Sequence, residues 1–526
     1  MASQLFLRWL EENKITIHQD LAIVHTPDAG IAVTSTKDCG ILHPQTVASI
    51  PKSAILSVRT CALAGQIHGA PYGHGAALAL SLALYSEILK GVASRWHPYL
   101  QSLPATPVPI ARLWGDACAF PDDLDSHEAR LWIQGTEVQR EIQDNDGSSL
   151  MDETREYYTA EVLPLLNSSS LEPTLQGFLH AYSLVCSRAF LVDAYHGLSM
   201  VPVADAFNHA HENHVQLASD FDVCPLCGSL TECPHDREDT STRPPVPNRP
   251  LHAPSDPSDT VDMVTVREIP PGTEIFNTYG ADLGNAALLA RYGFSLSGGD
   301  TDFVTFGWPG SGIVPEHDNE VEMFRAIYTQ VHENVEAAIV GRSTMVFVPD
   351  WAGQETWHEA VNSDGQASLW LFLWAVWIGL TERPPPELAG KSDIEILAAL
   401  PQYLLPIVAA LIQTEALRDD DTGAMRDPDV EPSDDVQLLA VAAEALASLC
   451  RTRISGMGKK GYRGARPDVL GDILDKLPPE RVKTRLALEY LLAERALLET
   501  CAASWEDLRN IITNGSEVDE GSDMEP

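Results

Sequence analysis

Strand-like and helix-like stretches fall in large blocks along this chain, and their order narrows the possible folds more than any other feature. Between residues 20 and 60 the sequence is rich in β-branched residues set between turn signals: LAIVHT, GIAVTST, TVASIP and SAILSV. Such runs predict short strands of a small, mostly antiparallel sheet. Ala76 to Val92 (AALALSLALYSEILKGV) then has helical length and helix-forming residues. Helical patterns continue through Asp125–Asp144 and Pro173–Ala189, with a proline-rich break near Pro104–Pro109. Strand-like patterns return at Ser199–Val203 and Thr260–Tyr279, and beyond about Val314 nearly every segment reads as helix through to Asn510. Strands interrupted by helices and followed by a helical half predict an α+β fold. A chain of 526 residues should form two to four packing units, since single cores rarely outgrow roughly 250–300 residues.

Hydrophobic residues make up 44% of the chain, enough for sizeable cores and too many for a mainly disordered one. The formal charge is −40, from 35 basic against 75 acidic side chains. So acidic a chain repels phosphate backbones, which excludes nucleic acid as an expected partner and favours basic protein segments. Nine cysteines do not make a disulfide scaffold; three lie within ten residues of each other, which points to a reducing compartment, cytoplasmic and/or nuclear, plus one metal-ligand cluster. The N-terminus, Met1–Asn13, has an amphipathic helical pattern rather than that of a signal peptide. No membrane span is expected. The longest apolar run, Ala367–Leu380, is short of the roughly 18–20 residues a bilayer requires and reads as a buried helix. Pro401 and Pro406 should break the apolar stretch Ile394–Ile412 into short helices. Asp236–Pro257 reads as a solvated loop, and Arg418–Asp435 and the end after Asn514 as acidic, mobile segments.

Four further blocks occur in a fixed order. The first is Asp28-Ala29-Gly30-Ile31-Ala32-Val33 with Val47-Ala48-Ser49-Ile50-Pro51-Lys52-Ser53. The second is Ser94-Arg95-Trp96-His97-Pro98-Tyr99-Leu100 with Leu103-Pro104 and Gly135-Thr136. The third is Ser187-Arg188-Ala189-Phe190 with Val201-Pro202-Val203-Ala204-Asp205-Ala206-Phe207-Asn208-His209. The fourth is Glu274-Ile275-Phe276-Asn277-Thr278-Tyr279-Gly280 with Asn285–Leu289 and Arg291-Tyr292-Gly293-Phe294. Together they resemble a SET-domain protein methyltransferase of the Rubisco large-subunit and ribosomal-protein lysine methyltransferase type. Arg485–Leu498 is similar to the last helix of that family's substrate-binding domain, so the resemblance spans almost the whole chain.

The resemblance implies a SET β-fold with a pseudoknot, S-adenosylmethionine as cofactor, and lysine as methyl acceptor. Tyr279 matches the catalytic tyrosine and Tyr292 the second pocket tyrosine; Asn208 and His209 match the cofactor-binding pair, and Arg188 the arginine that meets a cofactor carboxylate. Asp205 matches a substrate-side polar contact, and Ala29, Gly30 and Ile31 match the cofactor-binding turn, in which Ala32 replaces a second glycine. The chemistry is consistent with these roles. Methyl transfer to an amine needs orientation and an unprotonated nucleophile, and a lysine with an ordinary pKa near 10.4 loses its proton more readily in a dry pocket. Tyr279 and Tyr292, thirteen residues apart, can bracket one narrow channel, their faces holding the stem and a phenolic oxygen orienting the lone pair. The plain alternatives are packing tyrosines, satisfied structural polar residues and an ordinary strand-entry turn at Gly30.

Cys224-Pro225-Leu226-Cys227-Gly228 and Cys233-Pro234-His235 place four soft or borderline ligands within twelve residues. A Cys-x-x-Cys-Gly turn presents two thiolates to one ion and Cys-x-His can complete a tetrahedron, which reads as a closed structural zinc, with His211 and His214 as nearby alternative ligands. Reduced thiols in a loop are the other reading. The expected organisation is a SET domain over 1–310, carrying a helical insertion at about 76–185 and a Cys/His-containing loop insertion at about 211–258. A helical substrate-binding domain over 314–512 and an acidic tail over 513–526 follow. The expected function is protein N-lysine methylation of a basic protein such as a ribosomal protein or histone. A histidine acceptor and a SET-shaped binding protein without turnover are the rivals.

Overall fold

A computed structural model describes residues 4–26, 30–36, 40–68, 70, 72–116, 120–143, 149–236, 259–307, 318–348, 359–418 and 433–514. Ala29, most of the loop Asp236–Pro257, most of the acidic stretch after Arg418 and the C-terminal tail lie outside these residues. The chain divides into two compact units. The first is Met1–Asp123, Ser148–Leu283 and Ala287–Phe294; the second is Leu124–Gly147, Gly284–Ala286 and Ser295–Pro526.

In the first unit the β-branched runs form β1 (Thr16–Ile17), β2 (Leu21–Thr26), β3 (Gly30–Ser35), β4 (Thr46–Pro51) and β5 (Leu56–Ser57). Later segments add β6 (Ala189–Leu191), β7 (Leu198–Met200), β8 (Val215–Ser219) and β9 (Thr260–Thr265). They build three small antiparallel sheets, ordered β1-β4-β9-β8, β2-β3 and β5-β7-β6. In β9 the alternation buries Val261 and Met263 on one face, as a half-covered strand requires. β8 corrects the expected loop insertion over 211–258, since it pairs along its whole length with β9.

The segment after β9 organises the unit. Ser35 donates to the Thr273 carbonyl, Ile275 to that of Val33, and Thr34 faces Glu274 across an antiparallel bridge, so residues 273–275 line β3. Immediately downstream Asn277 donates to the Asn208 carbonyl and accepts from Ala210, while His214 and Val215 donate to Phe276. His209 and Asn277 form a parallel bridge. Residues 273–277 thus lie between the β2–β3 hairpin and the segment 208–215.

Helix Gly73–Lys90 carries buried residues on every face from Leu78 to Glu87. It is the one described helix long and apolar enough to cross a bilayer, and this burial within the core accounts for its composition. Helix Leu175–Arg188 packs on it closely enough that a Cβ on Gly177 would lie 2.5 Å from the Tyr85 hydroxyl. Thr174 caps this helix by accepting from the Gly177 amide, 3.1 Å away.

The second unit is helical, as expected, but holds a small sheet that the sequence patterns did not predict. Its order is β10-β12-β13-β11, from Phe303–Thr305 (β10), Val346–Phe347 (β11), Ala360–Asn362 (β12) and Ala367–Ser368 (β13). Helix Leu369–Glu382 is buried, with Trp370 and Trp374 edge-on to Phe324 at 4.7 and 5.0 Å. Pro401 ends one helix and starts the next, at a 64° bend. Pro406, in contrast to the expected break, lies inside helix Pro401–Arg418. The hydrogen bond it cannot make would go to the carbonyl of Gln402, an exposed residue, while buried Leu404, Ile407, Val408 and Leu411 hold the helix in place.

The expected helical insertion at 76–185 is divided between the units. Leu124–Gly147 groups with the second because Glu137 and Glu494 flank the fully buried guanidinium of Arg453, each 3.3 Å from Nη2. Asp125 also accepts from the Lys483 and Thr484 amides at the start of helix Val482–Asn514.

Candidate active site

The segment 273–277 delivers Tyr279 to an aromatic cluster. Its ring stacks on Tyr292 at 4.7 Å and on His209 at 5.1 Å, and meets Phe294 edge-on at 6.4 Å. The Tyr279 amide donates to His209 Nδ1 at 3.2 Å and its hydroxyl to the Phe207 carbonyl at 3.3 Å. Tyr292 and Phe294 arrive from the turn that closes helix Asn285–Arg291, where Tyr292 and Gly293 both donate to the Leu288 carbonyl. Gly293 has φ +81°, and a Cβ there would lie 3.0 Å from the Pro109 carbonyl carbon. Only glycine meets both conditions, so this turn fixes where Tyr292 and Phe294 sit.

Burial pushes the Tyr279 hydroxyl well above its usual pKa, with Arg188 opposing, and burial raises Tyr292 too. Both phenols therefore keep their protons at neutral pH and act as hydrogen-bonding groups rather than bases. His209 is lowered to about 4 by burial and by His211 beside it, so its ring is neutral. Because Nδ1 accepts from Tyr279, the ring proton sits on Nε2, a buried atom with no partner among the described residues.

Arg188, in the last turn of its helix, donates through Nη1 to the Asp205 carbonyl at 2.8 Å, while its Nε is buried without a partner among the described residues. Arg188 and Asp205 line a small cleft with Ile31, Val203, Ala206 and Phe6. The Asp205 carboxylate accepts from the Tyr99 hydroxyl at 2.7 Å, and burial raises its pKa. Tyr99 thus holds the side chain that the resemblance places on the substrate side. The second sequence block now has a purpose: Trp96 is buried, bonded to the Ala54 carbonyl, and Tyr99 three residues on holds Asp205.

Asn208 and His209 lie together beside residues 273–277, but the Asn208 amide is engaged by Glu274 at 2.7 Å. The side chain left over is Asn277, 1% exposed, with neither amide atom partnered among the described residues. Asn277 lies in the fourth sequence block, where an asparagine beside the tyrosine carries no distinguishing signal. The Phe207 carbonyl was likewise missed, since a main-chain acceptor has no residue-type signature. Gly30 and Ile31 open β3 opposite Thr26 and His25.

Cys224, Cys227, Cys233 and His235 come together, with ligand atoms all within 4.8 Å of one another. His211 and His214 are not among them. His211 packs against His209, and His214 accepts from the Phe276 amide.

No family model matches the chain. Ribosomal lysine N-methyltransferase 3 of Saccharomyces cerevisiae is 25% identical over 43% of this chain and 50% of its own length. N-lysine methyltransferase SETD6 of Bos taurus is 26% identical over 47% of each. The chain thus spans about half the length of the curated relatives it matches. Among solved structures, the SET domain of LSMT bound to lysine and AdoHcy superposes with a TM-score of 0.57 at 14% identity, covering 98% of this chain and 93% of that one. Rubisco LSMT bound to AdoMet gives 0.56 at 14% identity, with 98% and 94% covered. These likenesses agree with the resemblance carried by the four sequence blocks, and the fold is that of the LSMT structures, α+β with a helical C-terminal region.

Proposed function

We propose that the chain is an S-adenosylmethionine-dependent protein-lysine N-methyltransferase acting on a basic protein segment, of the kind ribosomal proteins or histones present. The observation that carries this reading is the buried aromatic cluster of Tyr279, Tyr292 and Phe294, with the Tyr279 hydroxyl on the Phe207 carbonyl. Aromatic faces suit the aliphatic stem of a lysine, and the burial that raises both phenols also disfavours an ammonium in the same space.

The residues beside the aromatic cluster fit the cofactor. Arg188 suits a carboxylate, and the unpartnered amide of Asn277 and Nε2 of His209 suit the remaining polar groups of an amino-acid nucleoside. When bound, S-adenosylmethionine supplies a methyl group on an electrophilic sulfonium. The chain's own part is orientation. Tyr279, still protonated, and the Phe207 carbonyl direct the amine lone pair, while the aromatic walls exclude water. Asp205 with Tyr99 acts as a positioning pair that holds the Arg188 guanidinium through the Asp205 carbonyl. None of this chemistry needs a metal, and a structural zinc at Cys224, Cys227, Cys233 and His235 would serve the fold alone.

The acidic composition favours a lysine-rich partner through electrostatic steering, and the likeness to a yeast ribosomal lysine methyltransferase supports a ribosomal protein. Described cysteines outside any disulfide fit a cytoplasmic or nuclear location. Incubating the chain with a cell extract and methyl-labelled S-adenosylmethionine, then locating the label by mass spectrometry, tests the reading. Label on a lysine of a basic protein is the expected result. Label on histidine would change the acceptor, and cofactor binding without transfer would make the chain a binding protein.

A further inference from the structure

The connection between β8 and β9 carries a feature that methyl transfer does not use. It leaves β8 at Asp220 and is fastened at once. The fully buried Lys52 ammonium donates to the Asp220 carbonyl at 3.1 Å while pairing with Asp193 and Asp259, each at 2.8 Å. Ala194 donates to the Phe221 carbonyl at 3.2 Å. Four residues on, Gly228 donates to the Cys224 carbonyl at 2.8 Å and Cys224 to that of Ser229 at 3.0 Å, closing a tight turn. Gly228 has φ +71°, and a Cβ there would lie 2.9 Å from the Tyr195 ring. The turn is therefore seated on the body of the unit and aims Cys224 and Cys227 the same way. A short 3₁₀ turn, Pro234–Asp236, presents His235 from the other side.

The spacing of these side chains is that of a coordination shell. His235 Nδ1 lies 3.7 Å from Cys224 Sγ and 3.5 Å from Cys233 Sγ. In a tetrahedral site with bonds of about 2.3 Å to sulfur and about 2.0–2.1 Å to nitrogen, sulfur–nitrogen edges are about 3.6 Å and sulfur–sulfur edges about 3.8 Å. A disulfide would join two of the sulfurs and leave the imidazole no reason to converge on both Cys224 and Cys233. We infer that Cys224, Cys227, Cys233 and His235 bind one zinc ion in a closed, structural Cys₃His site that pins the distal end of the β8–β9 connection, as Lys52 pins its base. Four protein ligands fill the tetrahedron and leave no position for substrate or water.

The site is independent of the methyltransferase reading, so its test uses metal alone. The full chain, purified without added metal or chelator, is analysed for zinc, then exchanged with cobalt(II) and titrated by absorbance. About one zinc per chain is expected, with sulfur-to-cobalt charge-transfer bands and the intense d–d bands of a tetrahedral site saturating at one equivalent. Cys224→Ser with Cys227→Ser should abolish both signals. Should that variant fail to fold, His235→Ala decides: it removes an exposed side chain, and should keep thiolate bands while shifting the d–d bands. A folded wild-type chain without zinc or tetrahedral cobalt overturns the site, whether its thiols react freely or prove oxidised. Zinc retained at full stoichiometry in the folded double variant overturns it too.

Discussion

Replacing Tyr279 by phenylalanine removes one oxygen and keeps the ring. The stacking on Tyr292 at 4.7 Å and on His209 at 5.1 Å persists, as does the main-chain bond to His209. The fold loses only the bond to the Phe207 carbonyl. A bond of that class contributes about 0.5–1.5 kcal/mol net, and at 3.3 Å the lower part of that range applies. Melting should therefore fall by no more than about 2–4 °C. Methyl transfer loses more, because the hydroxyl directs the amine only when the reacting atoms are aligned. A loss of at least about tenfold is expected, about 1.4 kcal/mol of transition-state stabilisation. Single-turnover transfer of a labelled methyl group at saturating cofactor measures this, with calorimetry for cofactor affinity. Affinity should stay within about twofold, since the hydroxyl is committed to Phe207 and not to the Arg188 cleft. Wild-type turnover in the variant would remove Tyr279 from catalysis, and an equal fall in affinity and rate would reassign its hydroxyl to cofactor binding.

Asn277→Ala should weaken S-adenosylmethionine binding while leaving melting unchanged or raised, because the buried amide has no partner among the described residues. Calorimetry giving wild-type affinity would exclude Asn277 from the cofactor site. In the second unit, burial raises the Glu494 carboxyl above its usual pKa, against the opposing charge of Arg453. A folded pKa above the unfolded one means that its stability contribution is full below the ordinary glutamate range and is lost as pH rises through the folded value. Melting of the wild-type chain should thus decline over that window, and Glu494→Gln should flatten the decline; parallel melting curves at each pH would contradict the assignment.

Periodicity was informative where burial is one-sided or complete. The alternation of β9 and the all-round burial of helices Gly73–Lys90 and Leu369–Glu382 leave plain patterns in the residue order. The same reasoning fails for elements made by one or two residues. β11 and β13 are two residues each, and residues 273–277 are held by single bridges on alternate sides. Their register is imposed by neighbours remote in the chain. Long-range ion pairing is equally silent: nothing near Glu137 signals that Arg453 will sit beside it and draw Leu124–Gly147 into the second unit. The helical patterns over Asp125–Asp144 also hid a break, at Gly135 with φ +72°, where a Cβ would lie 2.7 Å from the Gly456 carbonyl.

At the site, legibility follows the chemistry of the side chain. Tyrosine, arginine and histidine in ordered motifs could be given roles before any geometry was known, and Tyr279, Tyr292 and His209 do assemble. What the motifs could not convey is which polar atoms the fold itself consumes. Asn208 and Asn277 are the same residue type in neighbouring blocks, yet Glu274 takes the first and leaves the second unpaired among the described residues. Val203 makes the point at the level of the backbone. A β-branched residue disfavours positive φ, a conformation costing about 1–3 kcal/mol, and Val203 nevertheless has φ +74°. It is held there by the bonds from Asp205 to Val201 and from Ala206 to Val203, and it lines the cleft beside Arg188. Its twist starts the 3₁₀ turn that points Asp205 at Tyr99 and exposes the Asp205 carbonyl to Arg188. A smaller side chain such as glycine would relieve that conformation and loosen the turn together, so the strain at Val203 and the placement of Arg188 are one structural feature.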